Sequence, residues 1–476
     1  MVLKEIDDKY KKEWCCLYTN QYCKKILNES GYFGENILKK HVIDNSCGDG
    51  RFLEEIVKTY IKEFFKIDND LIKLKNQLEH FIHGIEIDLE ECKKCINNLN
   101  LIIKEYNIDN VNWDIIVADT LDTNIYTGKM DFVLGNPPYV RVHNFDDRFS
   151  KIKNKRFTKK GMTDLFILFY EIGLNMLNEK GVLCYITPSS IFNSFAGLEF
   201  RKFIIQKKLL KSVIDYKHYQ VFESVSTYTT ILKLDKNNTD ENINYFSYND
   251  HNQQYDFIDK LEYNDFFINN SFYFQKKEKL VIFKKIINCN IKQNNINVKN
   301  GFATLCDDIF IKDHFEFKSK HIFNVLKSSR KKWKKIIFPY NKEGALITFE
   351  CLEKELQDYL TINKDRLLNR SFDKGQNKWY AFGRSQAIND FWKEKISINN
   401  LIKTKENLKI ELLKSGEGVY SGLYIIGNFD LDKIKQILIS DEFIEYISLI
   451  SKYKANGYYT FSSSDLKKYL VYKLGV

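Results

Sequence analysis

An apolar run and a polar turn meet in Asp131-Phe132-Val133-Leu134-Gly135-Asn136-Pro137-Pro138-Tyr139. The apolar run at 132–134 predicts a short buried strand, because consecutive apolar residues bounded by turn residues are typical of strands inside a parallel sheet. Gly135 and the two prolines end this strand, since proline has no N–H to donate to a neighbouring strand. The Asn-Pro-Pro-Tyr motif is therefore expected at the C-terminal end of a buried strand.

Two hydrogen-bond acceptors lie in this motif. Successive prolines restrict the backbone twice, so the side-chain oxygen of Asn136 and the carbonyl of Pro137 are held in a stiff relation. Such a pair suits a planar group with two N–H donors, for example the exocyclic amine of adenine, and Tyr139 offers an aromatic face on which a base can stack. The alternative is a turn that ends a strand and places a tyrosine in the core.

Length and composition set wide bounds on the function. A chain of 476 residues is long enough for about two or three domains. Its 73 basic and 63 acidic residues give a net charge of +10, which permits a polyanionic partner without requiring one. The ten cysteines show no disulfide-like spacing, and the sequence contains neither a signal-peptide core nor a run of transmembrane length. We expect a cytoplasmic protein that does not bind membranes.

One pair of cysteines has the spacing of metal ligands. Cys92 and Cys95 are separated by two residues, but no second cysteine or histidine pair accompanies them. Both lie in a stretch with helical periodicity. We therefore expect no metal site.

Two segments before the motif favour a nucleoside ligand. Thr19 precedes an amphipathic helix and is expected to cap it, and a helix N-terminus also binds a carboxylate well. At 41–52, a strand that ends in Asp44 is followed by a Gly48-x-Gly50 turn and a helix, which lets the backbone approach a ligand closely. The acid suits a ligand ammonium. The third glycine of dinucleotide-binding proteins is absent, which argues against NAD.

Four successive strands are predicted to end in polar residues. These residues are Asp44, Glu86, Asp119 and Asn136. In an open parallel sheet the C-terminal ends of the strands line the ligand crevice, and a carboxylate there can hydrogen-bond ribose hydroxyls. Each acid alone is more often a helix cap or a solvated turn, and Asp88 is expected to cap a helix at 89–105. The order of all four favours a ligand site at this edge of the sheet.

This order of residues resembles that of the gamma-class N6-adenine DNA methyltransferases. The residues that carry the resemblance are Thr19, Asp44, Cys47, Gly48, Gly50, Phe52, Glu86, Asp119, Asn136, Pro137, Pro138, Tyr139 and Asp164-Leu165-Phe166. The resemblance implies an α/β, Rossmann-like domain that depends on S-adenosyl-L-methionine. It also implies cofactor contacts at Thr19, Asp44, Cys47, Gly48, Gly50, Glu86, Ile87, Asp119 and Phe169.

The resemblance assigns a role to each of these cofactor contacts. Thr19 and Asp44 would face the methionine end, and Glu86 would bind the ribose. The cofactor adenine would be contacted by Ile87, Asp119 and Phe169. The chain departs from the common Asp-Pro-Ala-Cys-Gly-Ser-Gly sequence at Asn45, Ser46 and Asp49, and from the usual proline at Asn20. These departures alter the expected contacts of the loop and leave the expected reaction unchanged.

The catalytic site implied by the resemblance is the Asn-Pro-Pro-Tyr motif, Asn136 to Tyr139. An adenine flipped out of the duplex would be held at its amine by Asn136 and Pro137, with Pro138 stiffening the turn. Tyr139 and Phe222 would stack on its two faces; for Phe222 the alternative is a core phenylalanine beside a hairpin. Attack on a sulfonium needs little acid–base help, so positioning is expected to supply the rate.

We expect three segments along the chain. Residues 1–245 would be the S-adenosylmethionine-binding catalytic domain, 246–295 a connecting segment without clear periodicity, and 296–476 a mixed α+β DNA target-recognition domain. In the last segment, basic and aromatic residues are interleaved at 330–335 and 378–386, which suits contacts to phosphates and bases. Residues 301–304 and 379–384 are similar to segments of the recognition domains of this methyltransferase class.

The expected function is site-specific methylation of the adenine N6 amine in duplex DNA by a monomer, with a separate cognate restriction endonuclease as a candidate partner. Protein-glutamine methylation and RNA-base methylation through the same motif remain alternatives. A third is a non-catalytic DNA-specificity subunit, against which the complete set of strand-end residues argues. Because the cofactor motifs begin near Tyr18, we expect no nuclease fused at the N-terminus.

Overall fold

The computed structural model describes residues 20–141, 152, 155–158, 164–222, 227–290, 296–370, 378–450, 452–454 and 457–475. Within it the chain divides into two compact units, with the division between Val281 and Ile282. Among the described residues, no helix has the length and apolar character needed to cross a lipid bilayer.

The first unit alternates strands with helices. Its elements begin with α1 (Asn20–Ser30), β1 (Val42–Asp44), α2 (Arg51–Phe64), α3 (Leu71–Phe81), β2 (Ile82–Glu86), α4 (Leu89–Lys104), β3 (Asp114–Val117) and β4 (Met130–Gly135). They continue with α5 (Leu165–Met176), β5 (Leu177–Pro188), α6 (Leu198–Lys207), β6 (Leu210–Asp215), β7 (Thr229–Asp235), β8 (Asn242–Asn249) and β9 (Gln254–Glu262). The unit ends with α7 (Tyr263–Phe266), β10 (Phe267–Ile268), β11 (Ser271–Phe272) and the first five residues of α8 (Lys277–Ile287).

The central sheet of the first unit is doubly wound. Its strand order is β3-β2-β1-β4-β5-β7-β6-β8-β9. Strand β1 pairs in parallel with β2 on one side and with β4 on the other. Strands β2 and β3 therefore extend the sheet in one direction from β1, and β4 and the later strands extend it in the opposite direction. This reversal is the topological switch point at which open α/β sheets bind their ligands.

Both faces of this sheet are covered. Neighbouring strand residues point to opposite faces, and in β4 Val133 belongs to one buried cluster while Leu134 belongs to the other. Helix α5 packs in the first cluster, and helices α2 and α4 pack in the second. The sheet therefore has the Rossmann-like, two-sided burial that the sequence predicts.

Helix starts in this unit follow from their capping residues. The Asp88 side chain accepts hydrogen bonds from the N–H groups of Glu90 and Glu91, which confirms the predicted cap of α4. Asp70 caps α3 in the same way, through Ile72 and Lys73. A short polar side chain at each of these positions satisfies N–H groups that the helix cannot pair internally.

The structure corrects the predicted connecting segment at 246–295. Strand β8 pairs in parallel with β6, and β9 pairs antiparallel with β8, so the central sheet extends to Glu262. Most side chains of the edge strand β9 are exposed or half-buried. Their sequence therefore lacks the alternation by which a half-buried strand is recognised, and the boundary predicted at 245 falls inside β8.

The second unit is mixed α+β. Its strands are β12 (Asn297–Asn300), β13 (Ile311–Lys312), β14 (Ile322–Lys327), β15 (Lys332–Ile337), β16 (Lys395–Ile398), β17 (Leu401–Ile402), β18 (Ile410–Leu413), β19 (Glu417–Tyr420), β20 (Leu423–Ile426), β21 (Tyr453–Lys454) and β22 (Tyr458–Thr460). Its helices are α9 (Asp307–Phe310), α10 (Lys354–Ile362), α11 (Lys364–Leu368), α12 (Leu431–Leu438), α13 (Asp441–Leu449) and α14 (Ser463–Leu474). The strands form sheets β12-β20-β16-β18, β13-β15-β14-β19 and β17-β22-β21.

Two basic–aromatic segments of this unit have different environments. In the hairpin of β14 and β15, Trp333 is 40% exposed, and Arg330 is exposed in the turn. In contrast, Tyr380 and Phe382 are buried, and the N–H groups of the two residues after Phe382 donate to the carbonyls of residues 304 and 303. The aromatic part of 378–386 therefore stabilises the core of the unit, which corrects its predicted role in surface contacts.

Candidate functional site

The C-terminal ends of β1 and β4 touch at the switch point. Gly135 has a φ of +151°, and a Cβ there would lie 2.6 Å from the Asp44 Oδ1 atom. Only glycine leaves room for the carboxylate at this position, because any side chain would overlap it. The glycine before the Asn-Pro-Pro-Tyr motif therefore allows Asp44, the last residue of β1, to lie close to the start of the motif, which follows β4.

The glycine loop closes over the end of β2. The N–H of Gly48 donates to Glu86 Oε2 at 2.8 Å, and the N–H of Asp88 donates to Glu86 Oε1 at 2.9 Å. Burial raises the pKa of the Glu86 carboxyl, and these N–H groups act in the opposite direction. Each carboxylate oxygen keeps a second lone pair, so Glu86 can accept further hydrogen bonds from a ligand.

The turn into α2 depends on Gly50. This residue has a φ of +89° and precedes the first residue of the helix. A Cβ on Gly50 would lie 2.6 Å from Cys95 Sγ, so glycine allows α2 to pack closely on α4. Cys47 is buried beside Cys95, and this contact together with burial raises the pKa of the Cys47 thiol well above its usual range. The Cys47 side chain therefore has the character of a packed neutral group.

Asp44 is a buried carboxyl at the end of β1. Its Oδ1 accepts a hydrogen bond from the N–H of Ser46 at 3.1 Å. Burial raises the pKa of Asp44 to about 7, and the nearby Glu86 adds to the shift while the Ser46 N–H opposes it. A cation placed beside Asp44 would favour its ionised form.

Asn136 holds a buried acceptor without a donor. Its Oδ1 atom is buried and has no hydrogen-bond partner among the described residues. Its backbone carbonyl, in contrast, accepts from the Ser46 hydroxyl at 3.3 Å. A buried acceptor left unpaired costs about 1–3 kcal/mol, so such groups in folded proteins call for an explanation. A ligand N–H donor would supply one.

Tyr139 is fixed by its hydroxyl and by its aromatic neighbours. The hydroxyl donates to the carbonyl of Ile186 at 3.1 Å, and Phe166 meets the ring edge-on with centroids 6.2 Å apart. Phe222 lies on another side, with centroids 6.3 Å apart and the ring planes at 64°. Phe222 is only 1% exposed.

The contact between Tyr139 and Phe222 leaves no room for a base between their rings. Stacking on both faces of a base requires two nearly parallel rings with the base in the gap, whereas here the rings touch edge-on. The two rings must therefore separate before a base can enter. The role of Phe222 stays a prediction, and this geometry is also compatible with the alternative of a core phenylalanine.

The remaining predicted cofactor residues differ in their exposure and contacts. Ile87 follows Glu86 and is 38% exposed, and Asp119 follows β3 with its Oδ1 accepting from the N–H of Leu121 at 3.1 Å. Phe169 is buried within α5. Thr19 lies outside the described residues. Among the described residues, no group of histidine, cysteine or acidic side chains is arranged to hold a metal ion.

Residues 14–222 match the Eco57I restriction-modification methylase family. The similarity to this family agrees with the resemblance found in the sequence. The matched segment contains the glycine loop, Glu86, the Asn-Pro-Pro-Tyr motif and Phe222, and none of the second unit.

Curated relatives of this family extend the similarity into the second unit. The type II restriction enzyme and methyltransferase RM.Eco57I of Escherichia coli is 25% identical over 77% of this chain and 46% of its own length. The type II methyltransferase M.BstVI of Geobacillus stearothermophilus is 25% identical over 87% of this chain and 82% of its own length. This chain thus spans less than half of the first relative and most of the second.

Solved structures of restriction-modification enzymes share the fold. The type IIL enzyme MmeI in complex with DNA matches with a TM-score of 0.62 and 12% identity, over 96% of this chain and 64% of that chain. The type ISP enzyme LlaGI, a nuclease-deletion mutant in complex with a DNA substrate mimic, has a TM-score of 0.53 and 12% identity, over 94% of this chain and 45% of that chain. At these identities the likeness describes the fold alone: a Rossmann-like α/β unit with an additional unit.

In the sequence, Asn45 and Ser46 stand out only as departures from a common motif. The Asn45 side-chain oxygen accepts from the Tyr185 hydroxyl at 2.9 Å, and its carbonyl accepts from the Thr120 hydroxyl at 2.6 Å. Asn45 is fully buried. It therefore joins the end of β1 to β5 and to the loop after β3. The signal in the sequence was that Asn45, with a side chain that forms hydrogen bonds, stands where the common motif has proline.

Proposed function

We propose that this chain is a site-specific DNA methyltransferase that transfers a methyl group from S-adenosyl-L-methionine to the N6 amine of an adenine flipped out of duplex DNA. The observation that carries the proposal is the buried Oδ1 of Asn136, which has no hydrogen-bond partner in the part of the chain that the structure describes. An acceptor without a donor, at the switch point of a methyltransferase sheet, has the polarity that an amino group requires. The proposal also draws on relatives named as type II methyltransferases.

The residues at the strand ends fit this cofactor. Asp44 would receive the ammonium of the methionine part, which favours its ionised form despite burial. The free lone pairs of Glu86 would accept from the ribose hydroxyls, while its Gly48 contact keeps the loop in place. Ile87, Asp119 and Phe169 would contact the adenine of the cofactor, with Thr19 at the carboxylate. When bound, S-adenosylmethionine supplies an electrophilic methyl group on a sulfonium.

The chain's own residues would act on the target amine. The Asn136 Oδ1 and the Pro137 carbonyl would each accept a hydrogen bond from one N–H of the amine. These hydrogen bonds would make the nitrogen lone pair less delocalised into the ring and more available for attack. Tyr139, held by Ile186 and Phe166, would support one face of the base, and Phe222 would support the other. No proton donor is needed at the methyl group, so orientation and hydrogen bonding supply the rate.

The second unit would read the DNA sequence. Its β14–β15 hairpin carries the exposed Arg330, Lys331 and Lys332 beside Trp333, a combination that suits phosphate contacts together with base or sugar contacts. We further propose that the protein acts as a monomer in the cytoplasm, associated with the nucleoid. A separate restriction endonuclease that shares its site is the candidate partner.

Long-read sequencing that detects modified bases tests this function. DNA from a host that expresses the chain should carry N6-methyladenine at one short sequence, and DNA from a host that expresses Asn136→Ala should not. Modification of cytosine would contradict adenine as the substrate. If no DNA base is modified and the purified protein methylates RNA or a glutamine-containing protein, that alternative replaces the proposal. Specific DNA binding without methylation by the intact chain would indicate a non-catalytic specificity subunit.

A further inference from the structure

The hydroxyl of Ser46 joins two segments that lie 90 positions apart in the sequence. It donates to the backbone carbonyl of Asn136 at 3.3 Å, and the N–H of the same serine donates to Asp44 Oδ1 at 3.1 Å. We propose that Ser46 is a positioning residue that links the cofactor loop to the target-base acceptors of the Asn-Pro-Pro-Tyr motif. This inference rests on the proposed function.

The motif needs a hydrogen bond of this kind because of its prolines. Pro137 and Pro138 have no N–H, so the two peptide planes that precede them can be held by hydrogen bonds only through their carbonyl oxygens. Rotation of the plane between Asn136 and Pro137 changes the distance between the Asn136 side chain and the Pro137 carbonyl. A donor on the Asn136 carbonyl therefore helps to set the geometry of both acceptors of the target amine.

The other side of Ser46 faces the predicted cofactor site. Asp44 Oδ1 accepts from the Ser46 N–H, and the same oxygen would lie 2.6 Å from a Cβ on Gly135. The buried carboxyl of Asp44 is thus in contact with the motif strand directly and with Asn136 through Ser46. A cation bound at Asp44 would change the charge next to both contacts. Ser46 is therefore placed to pass cofactor binding on to the base acceptors.

The loop around Ser46 is held independently of the motif. The carbonyl of the preceding residue, Asn45, accepts from the Thr120 hydroxyl, and the Asn45 side chain accepts from Tyr185. Removal of the Ser46 hydroxyl alone should leave these contacts intact. The expected loss is then in the position of Asn136 and not in the shape of the loop.

Three variants separate positioning from general loop rigidity. Ser46→Ala removes the hydroxyl, Ser46→Thr keeps it, and Thr120→Val removes a hydroxyl-to-carbonyl bond from the same loop without touching the motif. The measurements are the thermal midpoint, the cofactor dissociation constant by calorimetry, and the single-turnover rate of methyl transfer to a cognate duplex at saturating cofactor and DNA. The hydrogen bond is longer than the optimum for O–H···O, so a modest effect is expected.

Ser46→Ala should lower the single-turnover rate about three- to tenfold, the loss expected for one neutral hydrogen bond, with the cofactor dissociation constant within about twofold of the parent. Ser46→Thr should stay within about twofold of the parent rate. The inference would be overturned if Ser46→Ala kept the parent rate or lost only cofactor affinity. It would also be overturned if Ser46→Thr or Thr120→Val lost as much of the single-turnover rate as Ser46→Ala. If the parent methylates no adenine, the proposed function fails instead, and the two failures are distinguishable.

Discussion

Asn136 has a side chain that is better suited to catalysis than to stability. Its buried Oδ1 is unpartnered among the described residues, and an unpaired buried acceptor destabilises the fold. We predict that Asn136→Ala will unfold at the same temperature as the parent or higher, and will bind S-adenosylmethionine as the parent does. Its methyl-transfer rate should fall about 10²–10³-fold, as for the loss of one preorganised transition-state hydrogen bond.

The measurements for Asn136 are a thermal melt, calorimetry with the cofactor, and single-turnover transfer of a labelled methyl group. Asn136→Asp keeps an acceptor in the same place and should give an intermediate rate. A parent-like rate in a folded Asn136→Ala variant would remove Asn136 from the chemistry. A strongly lowered melting temperature would instead assign the amide a structural role.

We predict that Asp44, as the proposed partner of the cofactor ammonium, makes the cofactor affinity depend on pH. Burial raises the pKa of Asp44 to about 7, so below that pH the carboxyl carries a proton in the free protein. An ammonium requires the carboxylate, and binding therefore releases the proton. By linkage, the affinity for S-adenosylmethionine should rise about tenfold per pH unit up to about pH 7 and then level off.

Calorimetry between about pH 5.5 and about pH 7.5 tests the role of Asp44, in buffers of different ionisation enthalpy so that the released proton is counted directly. Asp44→Asn cannot ionise and should bind the cofactor weakly, without this pH dependence. A flat affinity profile in the parent would mean that Asp44 does not receive the ammonium. An unchanged slope in Asp44→Asn would assign the proton to another group.

In the proposed function, Phe222, in the loop between β6 and β7, must separate from Tyr139 before a base can enter. Phe222 in this loop is buried and meets Tyr139 edge-on, and Tyr22 of α1 lies on its other side. Stacking of a base on an aromatic ring is worth about 1–3 kcal/mol by alanine substitution. We predict that Phe222→Ala will reduce turnover more than it reduces the fluorescence of 2-aminopurine at the target position, because the base still leaves the helix but is poorly held.

Phe222→Trp, which keeps an aromatic ring, should retain much of the activity. Phe64→Ala in helix α2 is the matched control, since Phe64 is an equally buried phenylalanine of the same core cluster. If Phe222→Ala and Phe64→Ala lose stability alike and both transfer methyl groups at the parent single-turnover rate, Phe222 is a core residue. That outcome would support the alternative recognised from the sequence.

Most strands and helices of the first unit were predictable from the sequence, because each is bounded by residues with one clear physical role. Apolar runs end in Asp44, Glu86 and Asn136, and Asp88 caps the helix that follows β2. The edge strand β9 was missed because an exposed edge strand needs no alternation of buried residues. The Ser46 contact with Asn136 could not be predicted, because it joins positions that only the folded sheet brings together.

At the scale of the whole molecule, the boundary between the two units decides which fragments fold. The chain divides at Val281 and Ile282, and the central sheet continues to Glu262. A fragment that ends at residue 245 keeps only the first half of β8 and removes β9, which leaves the adjacent edge of the sheet unpaired. A fragment that ends at residue 290 keeps the complete sheet and all of α8.

We therefore predict that the fragment ending at residue 290 will fold and bind S-adenosylmethionine, whereas the one ending at 245 will aggregate or unfold, because unpaired strand edges favour association. Circular dichroism, thermal melting and calorimetry compare the two fragments. The longer fragment should also lose the preference of the full chain for its cognate duplex over a scrambled one, since the second unit is the proposed reader of DNA sequence. If this fragment still selected the cognate duplex, the first unit itself would hold the specificity, and the proposed division of roles between the two units would be wrong.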